Sequence, residues 1–228
     1  EFMVMLAGCT AGLMVPSLSH CEGKVAAATA SVSDRLGKLL PLRKLGFSGP
    51  TVTNLGVGGA PVGSASEKDA QAIIEKALEE GVRFFDNAPF YSGGRAEERY
   101  GKFLTPEYRD VAFIMTKTLA RNRKSALKDL DNSLSRMKTD YVDLWHVHAL
   151  GSPRDVEERV QNGVLDAFLE ARNKGKVRNI GFTGHESYKA HLKMLEELKK
   201  RDVKMVSSQM PVNPADPHYE SFVTHVVP

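Results

Sequence analysis

The chain has very little cysteine. Of its 228 residues only two are cysteines, Cys9 and Cys21, and none follows. Because both lie near the N-terminus, the remaining two hundred or so residues can hold neither a structural disulfide nor a thiolate-based site.

The chain also lacks a charge bias and a long apolar run. The net charge is +3, the lysines and arginines are dispersed, and 42% of the residues are hydrophobic against 26% charged. We therefore expect neither a nucleic acid nor an anionic membrane surface as a partner, and no integral membrane span in the mature domain. No metal site is expected either. The composition predicts a soluble globular protein of one large or two small domains.

Residues 1–41 are predicted to be a leader that is separate from a folded domain over residues 42–228. The first eighteen residues are apolar and rich in small side chains, and an alanine-rich run follows at residues 26–30. These features resemble a secretory signal without its initiator methionine and basic start. Three hypotheses remain open: a truncated twin-arginine-like export leader, a lipoprotein signal ending at Cys9, or a disordered tail. The first predicts a periplasmic protein, and the last a cytoplasmic one.

From Leu42 onward, strand-like and helix-like segments alternate about every thirty residues. A hairpin near Arg43–Gly49 leads into the first strand. Helices are predicted at Ser66–Glu80, Ala96–Leu104, around Leu127–Met137, Val164–Lys174 and around Leu192–Leu198, whereas residues 149–163 are expected to form a long loop. Six strands are predicted, at Val52–Gly59, Val82–Asp86, Val111–Lys117, Tyr141–His148, Val177–Thr183 and Val203–Met210.

This alternation implies parallel strands joined by right-handed crossovers, in either an open doubly wound sheet or a (β/α)8 TIM barrel. A dinucleotide-binding open sheet would carry Gly-x-Gly-x-x-Gly after its first strand. The segment from Gly56 to Pro61 does not fit that pattern, because Pro61 and Gly63 interrupt it. We predict an α/β barrel. Since a complete one takes about 250 residues, the last two strands are expected to be missing, which makes the chain a fragment or one that needs a partner to close.

Three side chains with acid–base chemistry stand at the ends of successive predicted strands. Asp86, Lys117 and His148 are separated by 31 residues each time, and Tyr91 follows Asp86 by five. Strand ends at the carboxyl face of a barrel are where catalytic groups meet. Alternation places Phe113 and Met115 inside the barrel below Lys117. His146 lies one layer below His148 and is predicted to be a hydrogen-bonded core histidine.

This combination suits an acid–base relay. A phenol, with an ordinary pKa of about 10, is a weak acid at neutral pH; a neighbouring ammonium favours the phenolate, and a carboxylate holds the ammonium in place. A neutral imidazole beside them can orient a carbonyl oxygen. The alternative is a purely structural Asp86–Lys117 ion pair with Tyr91 as a packed loop residue, and spacing alone leaves both open.

The motifs resemble those of the aldo-keto reductase family, over about Leu42 to Asn213. The matching segments are Leu55-Gly56-Val57-Gly58-Gly59, Phe85-Asp86-Asn87-Ala88-x-x-Tyr91, Glu97 with Gly101, Thr116-Lys117, Asp140-Tyr141-Val142-Asp143-Leu144 before His148, Gly175-Lys176-Val177 and Gln209. Residues 209–214 are also similar to a bacterial branch that often carries twin-arginine leaders.

The resemblance implies an NAD(P)H-dependent reduction of an aldehyde or ketone to an alcohol, usually with NADPH and with NADH possible. It implies four catalytic residues, with Tyr91 as proton donor, Lys117 assisting its ionisation, Asp86 paired with Lys117, and His148 positioning the small carbonyl substrate. Its implied cofactor-binding residues are Gly58, Gly59, Asp86, Thr183, His185 and Gln209.

One position departs from the family pattern. Gly184 stands where an asparagine is usual, so its amide contact is absent and His185 is the candidate substitute. Two further functions stay open: a cofactor-binding sensor or regulatory protein with little catalysis, and an inactive fragment. Neither the substrate nor the oligomeric state is predicted.

Overall fold

The computed structural model describes residues 32–46, 49–213 and 219–227. The predicted export or lipoprotein signal, with Cys9 and Cys21, lies outside these residues. Within the described ranges, no helix combines the length and apolarity that crossing a bilayer requires.

Six parallel strands form the main sheet, and their spatial order is their order in the sequence. They follow two antiparallel hairpins, β1 (Ser33–Asp34) with β2 (Gly37–Lys38) and β3 (Leu42–Lys44) with β4 (Thr51–Thr53). The parallel strands are β5 (Gly56–Gly58), β6 (Phe84–Asp86), β7 (Phe113–Thr118), β8 (Val142–Val147), β9 (Val177–Thr183) and β10 (Ser207–Gln209). The predicted first strand, Val52–Gly59, is therefore wrong as a single element, because its two halves pair with different neighbours.

Helices connect the strands. They are α1 (Gly59–Ser64), α2 (Glu67–Glu79), α3 (Arg95–Phe103), α4 (Thr105–Tyr108), α5 (Arg123–Met137), α6 (Pro153–Gln161), α7 (Val164–Asn173), α8 (Tyr188–Lys200) and α9 (Phe222–His225). Ser66 caps α2, since its Oγ accepts a hydrogen bond from Asp69 N. The long loop predicted for residues 149–163 is wrong: Ser152 caps α6, and Pro153 occupies its first turn.

The sheet curls into the wall of a barrel. A flat sheet would separate β6 from β10 by four strand spacings, roughly 19 Å. Instead the Gln209 side chain on β10 reaches to 3.4 Å from Asp86 on β6. Apolar side chains from several strands meet inside the curl in one cluster, which consists of Val52, Phe84, Met115 and Leu144 with Leu45, Phe113 and Val206 against it. The predicted inward positions of Phe113 and Met115 are confirmed.

A larger apolar layer fills the space between the sheet and the helices. Trp145 on β8 stacks on Phe168 of α7 with ring centroids 3.8 Å apart, and Phe85 on β6 meets Tyr100 of α3 edge to face. Because both faces of the sheet are buried, alternate side chains along each strand point to the barrel interior and to the helices. The interior set ends in polar side chains at the carboxyl end of the sheet.

The first hairpin lies against the N-terminal end of the barrel strands. Asp34 accepts two hydrogen bonds from the Arg83 guanidinium, at 2.6 and 2.9 Å, and the Arg83 side chain is only 6% exposed. A buried guanidinium without this carboxylate would be costly. We therefore propose that the barrel domain extends N-terminally of Leu42 to include residues 33–41.

Candidate active site

The buried ammonium of Lys117 is the centre of the candidate site. Its side chain, at the carboxyl end of β7, is only 2% exposed and forms an ion pair with Asp86 Oδ1 at the end of β6. It also donates to the Asn87 carbonyl oxygen at 2.9 Å and to the Tyr91 hydroxyl at 3.1 Å. The carboxylate and the phenol raise the pKa of Lys117 against the opposing effect of burial, so the amine is a cation at neutral pH.

Tyr91 reaches this ammonium because the chain turns sharply just after it. A 3₁₀ turn spans Tyr91–Gly94, and three successive residues in it, Ser92, Gly93 and Gly94, have positive φ angles of 54°, 66° and 96°. Two glycines accommodate that backbone at little cost. The turn brings α3 back against the barrel and leaves the Tyr91 hydroxyl at the carboxyl end of the sheet.

His148 lies immediately after β8, where its backbone N–H donates to the Thr118 carbonyl oxygen at 2.8 Å. Its ring meets the Tyr91 ring edge to face, with centroids 6.2 Å apart, and the ring of the exposed Phe90 at 6.3 Å. Burial, followed by the nearby charge of Lys117, lowers the pKa of His148 to about 3. The imidazole is therefore neutral at physiological pH and can donate or accept a hydrogen bond.

The lowered pKa of His148 is expected to make the stability of the folded chain depend on pH. In the unfolded chain a histidine gains a proton below about pH 6.5, whereas His148 in the folded chain stays neutral down to about pH 3. Its contribution is thus complete above pH 6.5 and is lost as the pH falls from there towards 3. We expect the free energy of unfolding to fall between pH 7 and 5 in both proteins. The fall should be about 1–2 kcal/mol smaller in His148→Gln than in the parent.

Urea unfolding at a series of pH values measures this difference. Two other buried histidines, His146 and His191, also have lowered pKa values, so part of the loss will remain in the variant. His225, changed to glutamine, is the control on the surface, because its side chain is exposed although its ring stacks on Tyr188. Parallel curves for the His148 variant and the parent would show that His148 is not held neutral by the fold.

The predicted cofactor-binding residues divide into those that meet at the strand ends and one that does not. Gly58 is in register with Asp86, and Gln209 with Thr183, at the carboxyl ends of their strands. Gln209 Nε2 approaches Asp86 Oδ2 at 3.4 Å. His185, in contrast, has an exposed side chain.

Gly58 and Gly59 differ sharply in the space around them. A Cβ atom placed on Gly58 would meet only Pro61 Cδ, at 3.8 Å, so the volume above this strand end is open. A Cβ on Gly59 would lie 2.6 Å from the Asp86 carbonyl oxygen and 2.9 Å from Asn87 Oδ1. Gly58 therefore leaves room for another group at this strand end, whereas Gly59 allows the chain to pack tightly against the Asp86 carbonyl group and the Asn87 side chain.

This contrast predicts different effects of the same substitution. Gly59→Ala is expected to lower the free energy of unfolding by about 1–3 kcal/mol, because the backbone of β6 must move to relieve the overlap. Gly58→Ala, one residue away, is expected to change it by about 0.5 kcal/mol or less. Equilibrium urea unfolding of both variants measures the difference, and equal losses would contradict it.

Three residues that form hydrogen bonds in or beside the candidate site were not identified from the sequence. Asn87 supplies a carbonyl acceptor to Lys117, and its own side chain is fully buried. Thr116, beside Lys117, donates to the buried Glu97 carboxylate at 2.6 Å. Ser207 Oγ lies 2.7 Å from His146 Nε2. That contact confirms that His146 is a hydrogen-bonded core histidine, whereas the partner could be found only once the fold was known.

Comparison of the sequence with known proteins identifies relatives of this chain. L-galactose dehydrogenase from Arabidopsis thaliana is 31% identical over 161 residues, which are 64% of this chain and 49% of that protein. Aldo-keto reductase YhdN from Bacillus subtilis is 34% identical over 137 residues, 55% of this chain and 40% of that protein. The chain thus spans about half the length, or less, of these curated relatives.

A solved structure agrees with the fold as well. Aldo-keto reductase AKR11C1 from Bacillus halodurans, in its holo form, superposes with a TM-score of 0.64 at 27% identity, covering 76% of this chain and 58% of that one. The likeness confirms the predicted (β/α)8 barrel, of which the described residues form six strands. The sequence model of the aldo/keto reductase family matches residues 54–227, most of the chain. The resemblance carried by the motifs is therefore confirmed: this chain belongs to the aldo/keto reductase family.

Proposed function

We propose that this chain carries the catalytic residues of an NAD(P)H-dependent carbonyl reductase that converts an aldehyde or ketone to an alcohol. The observation that supports it most is the Lys117 ammonium, which is in contact with both a carboxylate and a phenol at one end of the barrel. A purely structural ion pair between Asp86 and Lys117 would need no tyrosine hydroxyl as a third partner.

In this proposal Tyr91 donates its proton to the carbonyl oxygen of the substrate. The phenolate left behind stays beside the Lys117 ammonium, which offsets the new negative charge within hydrogen-bond distance. Asp86 holds the ammonium in place through its ion pair. A proton from solvent then restores the phenol before the next turnover.

His148 and Phe90 are proposed to hold the substrate. A neutral imidazole donates a hydrogen bond to the carbonyl oxygen without competing with Tyr91 as an acid. The ring of Phe90, 53% exposed and 6.3 Å from the His148 ring, offers an apolar surface for the rest of the substrate. The two side chains would thereby orient the carbonyl towards the Tyr91 hydroxyl.

Nicotinamide is proposed to lie in the open volume beside Gly58, against Asp86, Thr183 and Gln209. When bound there it would supply a hydride to the carbonyl carbon. Gly184 has no side chain, and a Cβ there would lie 2.6 Å from the Leu150 carbonyl oxygen, so no larger residue fits without movement. The amide contact that the family pattern places at this position is thus absent. NADPH is the proposed cofactor, with NADH as the alternative.

The test is turnover of the whole chain with a panel of aliphatic and aromatic aldehydes. NADPH or NADH oxidation is followed by absorbance, and cofactor binding separately by quenching of intrinsic fluorescence. Aldehyde-dependent oxidation supports the reductase. Binding without turnover across the panel would instead support a cofactor-binding sensor or regulatory protein. Failure to bind either nucleotide would contradict the proposal for this chain and support an inactive fragment.

A further inference from the structure

The proposed reaction makes no use of His146, although this histidine is fully buried directly below the site. It lies on β8, in register with Gly181 on β9, which is in turn in register with Ser207 on β10. Because the middle strand contributes no side chain at that position, His146 and Ser207 meet across it, with Nε2 and Oγ 2.7 Å apart. A Cβ on Gly181 would lie 2.5 Å from both atoms.

The second interaction partner of the imidazole is the Gln209 side chain. A hydrogen bond with the Gln209 amide acts to raise the pKa of His146 against the larger effect of burial, which agrees with an amide oxygen at the ring. Within the part of the chain that the structure describes, His146 Nδ1 and Gln209 Oε1 are both buried without a hydrogen-bond partner. A buried donor and a buried acceptor are costly when both lack a partner, and pairing them with one another removes that cost.

The orientation of the Gln209 amide is set by Asp86. Its Nε2 group approaches Asp86 Oδ2 at 3.4 Å, and the reverse orientation would place the amide oxygen against a carboxylate. With Nε2 directed at Asp86, Oε1 must accept from His146, so the proton of the ring is on Nδ1. The unprotonated Nε2 then accepts from the Ser207 hydroxyl.

We propose that His146 is a positioning residue, present as the neutral Nδ1–H tautomer, that together with Ser207 holds Gln209 against Asp86. The hydrogen bonds run from the Ser207 hydroxyl to His146, from His146 to Gln209, and from Gln209 to Asp86, the partner of Lys117. Burial, followed by the charge of Lys117, keeps the pKa of His146 well below its usual value, which agrees with a neutral ring. The consequence for catalysis rests on the proposed function, whereas the tautomer does not.

Nitrogen-15 NMR of the full chain, labelled at its seven histidines, tests the tautomer directly. Long-range proton–nitrogen correlations are expected to show one histidine with Nδ1 protonated and Nε2 bare, and that signal should disappear in His146→Gln. If that variant does not fold, Ser207→Ala identifies the same ring, because loss of the hydroxyl shifts its Nε2 resonance, and Ser207→Thr restores it. An Nε2–H tautomer or an imidazolium at pH 7 would overturn the inference.

Steady-state kinetics provide the second measurement. Ser207→Ala is expected to lower kcat by about threefold to tenfold, the size of effect that loss of one hydrogen bond produces, with little change in KM. Ser207→Thr should restore most of the lost kcat. An equal kcat in the parent and Ser207→Ala would show that the three residues do not support Asp86. If the parent chain turns over no aldehyde, the proposed function fails, and the NMR result still decides the tautomer.

Discussion

Replacing Tyr91 by phenylalanine is expected to lower kcat for aldehyde reduction by about 10²- to 10⁴-fold, the usual contribution of a positioned general acid. The hydroxyl lies 3.1 Å from the Lys117 ammonium, which also contacts the Asp86 carboxylate and the Asn87 carbonyl oxygen. The ring would stay in place against His148, since their edge-to-face contact does not involve the hydroxyl. Cofactor affinity should therefore change by about twofold or less.

Stopped-flow and steady-state measurements of NADPH oxidation, with one aldehyde at saturating concentration, give this comparison. Tyr219→Phe is the matched control: it removes the same hydroxyl from a tyrosine that is 85% exposed, and should turn over like the parent. A Tyr91→Phe enzyme that keeps more than about a tenth of the parent kcat would assign proton donation to another group. The Lys117 ammonium would then be the next candidate, because it is protonated at neutral pH, whereas His148 is neutral.

Part of the site could be predicted from the sequence, because side-chain alternation and strand order are enough to place those residues. Alternation along β7 places Phe113, Met115 and Lys117 on one face, and the strand end brings the last of them to the barrel mouth. A strand-terminal carboxylate and a strand-terminal amine, 31 residues apart, belong to neighbouring parallel strands. Their ion pair therefore follows from strand order, because no long-range packing has to be known.

Other features depend on tertiary structure and were missed. His146 and Ser207 are 61 positions apart in the sequence, and they meet across Gly181. The register of three strands must be known before the role of this glycine can be recognised. The α6 helix was missed for another reason. Its stretch is densely charged, and its buried side chains are few, so the apolar periodicity is weak, although the Ser152–Pro153 start signal was present.

The largest expected effect on stability is at Glu97, a fully buried carboxylate in α3 that joins three elements of the barrel wall. One oxygen accepts from the Thr116 hydroxyl on β7 at 2.6 Å, and the other from the Arg136 guanidinium of α5 at 2.6 and 2.7 Å. Thr116 directly precedes Lys117 in the strand. Glu97 thus holds the strand that carries the ammonium, as well as the helices that support it.

Glu97→Ala is expected to lower the free energy of unfolding by about 3 kcal/mol, towards the low end for a broken buried pair. The Thr116 hydroxyl would lose its partner in the interior, while the Arg136 side chain, 28% exposed, can still reach water. Glu98→Ala, the next residue on the same helix, removes an equal charge from an exposed position and should cost about 0.5 kcal/mol or less. Equilibrium urea unfolding of the two variants measures the difference, and losses of equal size would mean that the Glu97 network contributes no more than a surface charge does.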